Sequence, residues 1–322
     1  MPTIDLTTPT RAVEPVEPAA PAPLDAAPRR VGLSLRELQH AARLAGDAPL
    51  PFEVAAPTEA DAMQSRLGSS PATSDDHAYR GVLSALNDPG TSLAERGLVV
   101  DGVLEPGIAG AIGLLAAPRI ALDVDVRMGE VQAKAWHRHD RGAVASLATI
   151  DGAVFELAWF GVDSWATELA RVAAPSEEIT LGTSAVPALV DLPFELADAA
   201  AEAVRIGRGD LVAVLAARHT GSVLGPDGSV LTDDAVTRLL VALGGEAQGR
   251  LRAMVADVTG AAVDTVGVVS WTLLADGWRA LRPHQRDGVL RLELRAVEPG
   301  DLAAVLAPAA LPAVESASGG AS

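Results

Sequence analysis

The chain has 322 residues, with 42 acidic and 25 basic side chains, a formal net charge of −17 and no cysteine. This length is sufficient for one large domain or two ordinary ones. The acidic charge disfavours binding to nucleic acid and insertion into anionic membranes, because both partners are themselves negative. The lack of cysteine excludes disulfides, thiolate metal sites and a cysteine nucleophile. Lys134 is the only lysine and lies outside any glycine-rich loop, which excludes a phosphate-binding P-loop.

The two ends of the chain differ from its middle in composition. Residues 1–30 are rich in proline, alanine, threonine and glutamate, and neither they nor residues 309–322 show helical or strand periodicity. Such segments bury too little apolar surface to offset their ordering entropy, so we predict a disordered leader and a disordered tail. The sequence contains neither a signal-peptide pattern nor an apolar run of roughly 18 to 20 residues. We therefore expect a cytoplasmic protein.

The region 31–173 predicts helices followed by an antiparallel meander. Ser34 and Glu37 form a capping box at the start of the first helix. A second helical region is predicted over about 77–98 after a loop at 60–72, and a third helix over Pro106–Ala117. Period-two alternation then predicts four strands, and a short helix capped by Asp163 or Ser164 closes the half. The predicted strands are 120–128, 130–139, 143–149 and 153–160.

A linker at 174–189 leads into a second half over 190–308, where the same order of elements returns. Thr232 caps a helix that Gly244 ends. The strand 289–297 alternates between an apolar face and a charged face, which predicts one buried side, covered by helices, and one wetted side. The apolar set is Leu290, Leu292, Leu294 and Ala296, and the charged set is Arg291, Glu293 and Arg295.

Matching residues in a constant order indicate an internal duplication. In particular, Val131–Trp136 matches Val266–Trp271, and Asp151-Gly152 matches Asp287-Gly288. The alignment makes Trp136 and Trp271 equivalent anchors of two sheet–helix interfaces. The simplest assembly is an α+β fold in which both meanders join one central antiparallel sheet with helical bundles, related by a pseudo-twofold axis.

One cluster has the spacing of metal ligands. His137 and His139 lie two residues apart on a predicted strand, so both imidazoles point the same way, and Asp140 follows them. This would suit a metal-dependent hydrolase. The alternative is a pair of strand-end histidines beside a turn, which is favoured because the equivalent positions Thr272 and Leu274 cannot both ligate a metal and no third histidine lies nearby.

Other catalytic signatures are lacking in the sequence. It has neither a G-x-S-x-G elbow nor a G-x-G-x-x-G turn after a predicted strand. We therefore assign no catalytic, cofactor-binding or metal residue and expect a protein that is not an enzyme and needs no cofactor. An immunity or inhibitor protein would also fit the acidic charge but has no motif of its own.

The order of several segments resembles the EspG proteins associated with the ESX (type VII) secretion systems of actinobacteria. The resemblance covers about 31–308 and rests on the order of short motifs. These motifs are the Leu33-Ser-Leu-Arg-Glu-Leu helix, Pro49–Phe52, Ala94-Glu-Arg-Gly-Leu98 with Asp101-Gly102, Gly267-Val-Val-Ser-Trp271, Asp276-Gly-Trp-Arg-Ala-Leu-Arg-Pro283, Leu290–Leu294 and Asp301-Leu302.

This resemblance implies a quasi-twofold fold with a central antiparallel sheet and helical bundles. It also implies a non-catalytic cytoplasmic chaperone whose partner is a helical secretion substrate. In the mycobacterial branch, EspG proteins bind the tip of the PPE partner in PE–PPE heterodimers, keep these substrates soluble and select them for their own secretion system. A small helical WXG-type protein is the other client that we expect. No partner-binding residue can be carried over, because no recognition motif of the family aligns securely.

Overall fold

The structure, a computed structural model, describes residues 27–53, 88–260 and 264–310, without the side chains of 308–310. This part contains twelve strands and eight α-helices. The strands are β1 (Arg29–Ser34), β2 (Val99–Val100), β3 (Val103–Leu104), β4 (Ile120–Met128), β5 (Val131–Asp140), β6 (Ala143–Thr149), β7 (Val154–Gly161), β8 (Leu189–Pro193), β9 (Gly249–Asp257), β10 (Asp264–Leu274), β11 (Gly277–Arg286) and β12 (Val289–Val297). The helices are α1 (Leu35–Leu44), α2 (Pro89–Glu95), α3 (Pro106–Ala116), α4 (Trp165–Ala173), α5 (Phe194–Arg205), α6 (Asp210–Arg218), α7 (Asp233–Gly245) and α8 (Asp301–Ala310).

Ten of the strands form one antiparallel sheet in the order β1-β7-β6-β5-β4-β9-β10-β11-β12-β8. The order within each half is the same when it is read outward from the seam between β4 and β9. This arrangement confirms the predicted α+β class with a central antiparallel sheet and helical bundles. The internal duplication itself stays a prediction.

Helices cover both faces of the sheet, whereas the sequence predicted a single covered side. On one face, which we call the inner face, α4 and α8 pack over the central strands, and the core there includes Val124, Val255 and Trp271. On the other face, the bundle face, α1 to α3 pack over the β1 end and α5 to α7 over the β8 end. Burying apolar side chains on both faces makes the sheet the middle layer of the domain.

The predicted capping box fixes α1 to the edge of the sheet. The Glu37 backbone N–H donates to Ser34 Oγ at 3.3 Å, and the Ser34 N–H donates to Glu37 Oε2 at 2.7 Å. The same carboxylate accepts hydrogen bonds from Ser92 Oγ and Arg96 Nη1, which tie α1 to α2 and its end. On the inner face, Arg30 of β1 donates to Glu168 of α4 at 2.9 Å.

Several predicted boundaries differ from the structure. Strand β1 begins at Arg29, inside the predicted leader, and β8 begins at Leu189, the last residue of the predicted linker. Helix α8 continues to Ala310, beyond the predicted limit of the second half. The predicted loop at 60–72 and the first part of the helical region 77–98 lie outside the described residues, while α2 falls in the rest of that region.

The predicted faces of β12 are correct in alternation but not in burial. Leu292 and Leu294 are buried under the α5–α7 bundle, whereas Leu290 and Ala296 are exposed beyond it. Arg291 was expected on a wetted face but is buried. Its Nε donates to Asp191 Oδ1 at 2.9 Å, and its Nη2 donates to the Ser222 carbonyl at 2.8 Å, as buried guanidinium groups require.

Trp136 and Trp271 lie on opposite faces of the sheet, so the predicted equivalence between them is wrong. Trp271 is in the core of the inner face, whereas Trp136 packs with the α1–α3 cluster on the bundle face. The β5–β6 hairpin closes at Asp140–Ala143, and the β10–β11 hairpin closes at Leu274–Gly277. His137 and Trp271 each lie three residues before the closing pair of their hairpin, so these two residues occupy equivalent positions. In a hairpin the turn fixes the register, so the turns are the better guide to equivalent positions.

Candidate protein-docking surface

The middle of the bundle face lies between the two helical bundles, and its side chains form a shallow groove across β5, β4, β9 and β10. One row across these strands consists of Trp136, Asp123, Met254 and Val268, which are successive cross-strand partners. The adjacent row consists of Lys134, Asp125, Arg252 and Ser270. We call these eight residues the central groove.

Two depressions meet at Trp136 and Lys134 of the central groove. One, of about 380 Å³, lies over β4, β9 and β10 and reaches Val268. The other, of about 500 Å³, extends toward Phe52 and Phe155. The Phe52 ring lies between these aromatic groups, with centroids 5.0 Å from Trp136 and 5.1 Å from Phe155. This aromatic packing fixes the wall of the depression before any partner arrives.

The central groove combines exposed apolar side chains with a fixed pattern of charge. Met254 is 45% exposed and Val268 is 70% exposed, values that are high for large apolar residues in a sheet. Asp123 accepts a hydrogen bond from Arg138 Nη1 at 2.7 Å, so its charge is compensated. Lys134 and Arg252 are exposed on either side of Asp125. Such a surface can bind an apolar element of a protein with acidic residues on its flanks.

The structure places the predicted metal pair in the protein core. His137 and His139 are buried on the inner face, with ring centroids 6.4 Å and 5.4 Å from Trp165. Burial lowers the pKa of His137 to about 3 and also lowers the pKa of His139. Both imidazoles are therefore neutral near pH 7, and none of their nitrogens has a hydrogen-bond partner among the described residues.

Asp140 does not join these histidines. Alternation along β5 places it on the opposite face of the sheet, where its carboxylate lies 3.6 Å from Arg141 Nε. There it lines a cavity of about 680 Å³ between α3 and the outer strands, together with Trp159 and Phe160. Within the described ranges, no group of three or more His, Cys, Asp or Glu side chains could hold a metal ion. The geometry thus favours the reading of strand-end histidines beside a turn.

Sequence reasoning did not find the central groove. Val268 and Phe52 belong to short motifs of the family resemblance and Met254 to none, and the sequence pattern at these three residues does not indicate a binding surface. Their exposure depends on where the two bundles end over the sheet, which the pattern of a single strand does not encode. The one usable signal was Lys134, the only lysine of the sequence, which shares its strand face with Gln132, Trp136 and Arg138.

In the described part of the chain, no helix is both long and apolar enough to cross a membrane. No protein-family model and no curated protein matches the sequence. Among solved structures, the chain is similar to the Mycobacterium tuberculosis type VII secretion system chaperone EspG5, solved in complex with a PE25–PPE41 dimer. The TM-score is 0.57 at 15% sequence identity, and the match covers 86% of this chain and 94% of EspG5. At this identity the likeness shows a shared fold.

Proposed function

We propose that the protein is a cytoplasmic chaperone of a type VII (ESX) secretion pathway. It binds a helical secretion substrate, keeps it soluble and directs it to its secretion system. The observation that carries this proposal is the fold shared with EspG5 over nearly the whole of both chains. The order of short motifs along residues 31–308 supports the same function independently of the coordinates.

The client that we propose is a PE–PPE-like heterodimer or a small WXG-type protein. An apolar helix tip on such a client would need cover until export, because exposed apolar patches promote aggregation. The central groove supplies Met254, Val268 and Trp136 for that contact, with Lys134 and Arg252 beside them. Acidic residues flanking the client's apolar tip would complete the interface.

Affinity capture of the tagged protein from the cytosol of its own host tests this proposal. We expect a stoichiometric small helical partner encoded near a type VII secretion locus. Recovery of this chain alone, with candidate clients confirmed to be expressed, would contradict it. The identified client then allows a quantitative test by isothermal titration calorimetry.

In that titration, Met254→Glu should weaken client binding at least tenfold, because it replaces an exposed apolar side chain of the central groove by a charged one. Leu290→Glu is the matched control, since Leu290 is 46% exposed and Met254 is 45% exposed. It lies on β12, outside the groove, and should change the affinity less than twofold. Equal losses in both variants would show that the client binds elsewhere.

A further inference from the structure

The sheet is split between β10 and β11. Their ladder runs from Leu274–Gly277 to Trp271–Ala280 and stops there. Both strands continue beyond that point, β10 back to Asp264 and β11 on to Arg286. Each remains paired with its other neighbour, β9 or β12. The sheet therefore holds an interior edge in addition to its two outer ones.

Pro283 explains why the ladder ends. The β11–β12 hairpin closes at Arg286–Val289 around Asp287 and Gly288, whose φ values of 53° and 77° are typical of a type I′ turn. The closing pair of such a hairpin is hydrogen-bonded, so the even-numbered residues of β11 direct their backbone groups to β12. Pro283 therefore directs its backbone toward β10 and has no N–H to donate.

Across the split, β10 presents unused backbone groups. Counting from the Leu274–Gly277 closing pair, Ser270 and Val268 direct their N–H and C=O groups toward β11. The last pair, Trp271–Ala280, still engages the Ser270 C=O, but in the described part of the chain the Ser270 N–H and both backbone groups of Val268 lie beyond the end of the β10–β11 ladder. Open strand edges of this kind are templates for another strand.

The side chains along the split indicate what such a strand would carry. On the bundle face the edge begins with the apolar pair of Val268 and Met254 of β9, and Ser270 and Arg252 follow it toward the hairpin. On the inner face, β11 offers two cations, Arg282 and Arg286. Their nearest carboxylates are 3.9 Å away, beyond hydrogen-bond distance. A complementary strand therefore has apolar residues on one side and acidic residues on the other.

We propose that the open edge of β10 at Val268 and Ser270 binds an extended segment of a protein partner by strand addition. The segment alternates apolar and acidic residues. Its apolar side chains contact Val268 and Met254, and its carboxylates pair with Arg282 and Arg286. This site shares Val268 and Met254 with the proposed helical-client contact but differs from it in kind, because backbone hydrogen bonds carry it. It stands whether or not the partner is a secretion substrate.

The test uses the full chain and a short synthetic peptide of alternating valine and glutamate, with binding followed by fluorescence anisotropy. We expect saturable binding that Val268→Pro weakens at least tenfold, because it removes the N–H directed into the split. Val268→Thr is the matched control and should change the affinity less than twofold. Hydrogen exchange of the unbound protein should show rapid exchange at the Val268 and Ser270 amides and at least tenfold slower exchange with peptide bound.

A second probe avoids any variant that fails to fold. A peptide methylated at the amides that face β10 should lose binding to the unchanged protein, while methylation at the alternate amides should preserve it. Equal binding by all the peptides, or slow exchange of both edge amides without peptide, overturns the proposal. The proposal is also overturned if the chain forms a dimer that Val268→Pro dissociates. It is likewise overturned if deletion of residues 311–322 raises the affinity for the peptide tenfold. These results would assign the edge to a second copy or to the chain's own tail.

Discussion

The hairpins β5–β6 and β10–β11 occupy corresponding places in the two halves of the sheet, yet one is closed and the other is split. The first pairs continuously from Asp140–Ala143 to Lys134–Thr149. The second stops at Trp271–Ala280. Counted from the closing pairs, Thr149 stands where the second hairpin has Pro283. A residue without a backbone N–H thus lies beyond the point where the second ladder stops, and the first hairpin has a residue with an N–H there.

The two hairpins also differ in what they bury on the inner face. Trp271 fills its position with a large ring that is 1% exposed and whose Nε1 has no hydrogen-bond partner among the described residues. The corresponding His137 is fully buried, and both of its ring nitrogens lack a hydrogen-bond partner among the described residues. The second half thus has a larger ring at this position and an open edge, whereas the first has a titratable imidazole and a closed ladder. The two hairpins therefore differ both in the residue that they bury on the inner face and in the backbone groups that they leave open.

The largest effect that we expect is from Trp271→Ala. The indole contacts the core of the inner face, and its ring centroid lies 6.1 Å from that of Trp278. Its removal should lower the free energy of unfolding by about 3–5 kcal/mol, measured by chemical denaturation. Val268→Ala, at the exposed end of the same strand, should change it by less than about 0.5 kcal/mol. Equal losses would show that the core does not depend on this ring.

Acid should destabilise the protein through His137. Its pKa is about 3 in the folded state, against an ordinary value of 6.5, because burial disfavours the charged ring. The unfolded state therefore binds more protons between these values, and the stability present above about pH 6.5 is lost as the pH falls toward 3. Between about pH 7 and 4.5 we expect the histidine to account for a loss of about 2–3 kcal/mol.

Comparison with His137→Leu isolates this contribution in denaturation curves at both pH values. The variant should lose less stability on acidification, and it should be no less stable near pH 7, because it removes an unpaired buried polar ring. His139, whose pKa burial also lowers, remains in both proteins. Near His137, Glu168 opposes the shift, while Arg138 and Arg171 reinforce it. Identical pH profiles would show that His137 is already solvated.

The smallest effect should come from Pro283→Thr, which copies Thr149 into the second hairpin. The new N–H faces β10 and can extend the ladder toward Val268, so the free energy of unfolding should rise by about 0.5–1.5 kcal/mol. Hydrogen exchange at Val268 should slow in parallel. Faster unfolding without added protection would mean that something other than the missing donor holds the strands apart.

Much of the fold could be predicted from local signals. The capping box of α1, the Asp-Gly turns and the alternation in β4 to β7 each act within a few residues, so the sequence specifies them directly. Strands β1 and β8 could not be assigned in the same way. Both are short edge strands whose partners lie far away in the sequence. Strand β1 pairs with β7, more than a hundred residues later, and β8 pairs with β12, about a hundred residues later.

The candidate site was less predictable than the fold. The central groove arises because neither helical bundle reaches β4, β9 and the start of β10 on the bundle face. That gap is a property of the packed layers, and Met254 reads in the sequence as one more apolar strand residue. The interior edge had a local signal in Pro283, but its meaning depends on which neighbour the proline faces.

The order of strands has a consequence for synthesis on the ribosome. In each half, the strand translated first, β1 or β8, pairs with the strand translated last, β7 or β12. The seam between β4 and β9 forms only after both halves have emerged, since Ile120 pairs with Asp257. Contacts this distant in sequence close slowly. We expect the nascent chain to expose unpaired strands for much of its translation, and therefore to depend on general chaperones while it is synthesised.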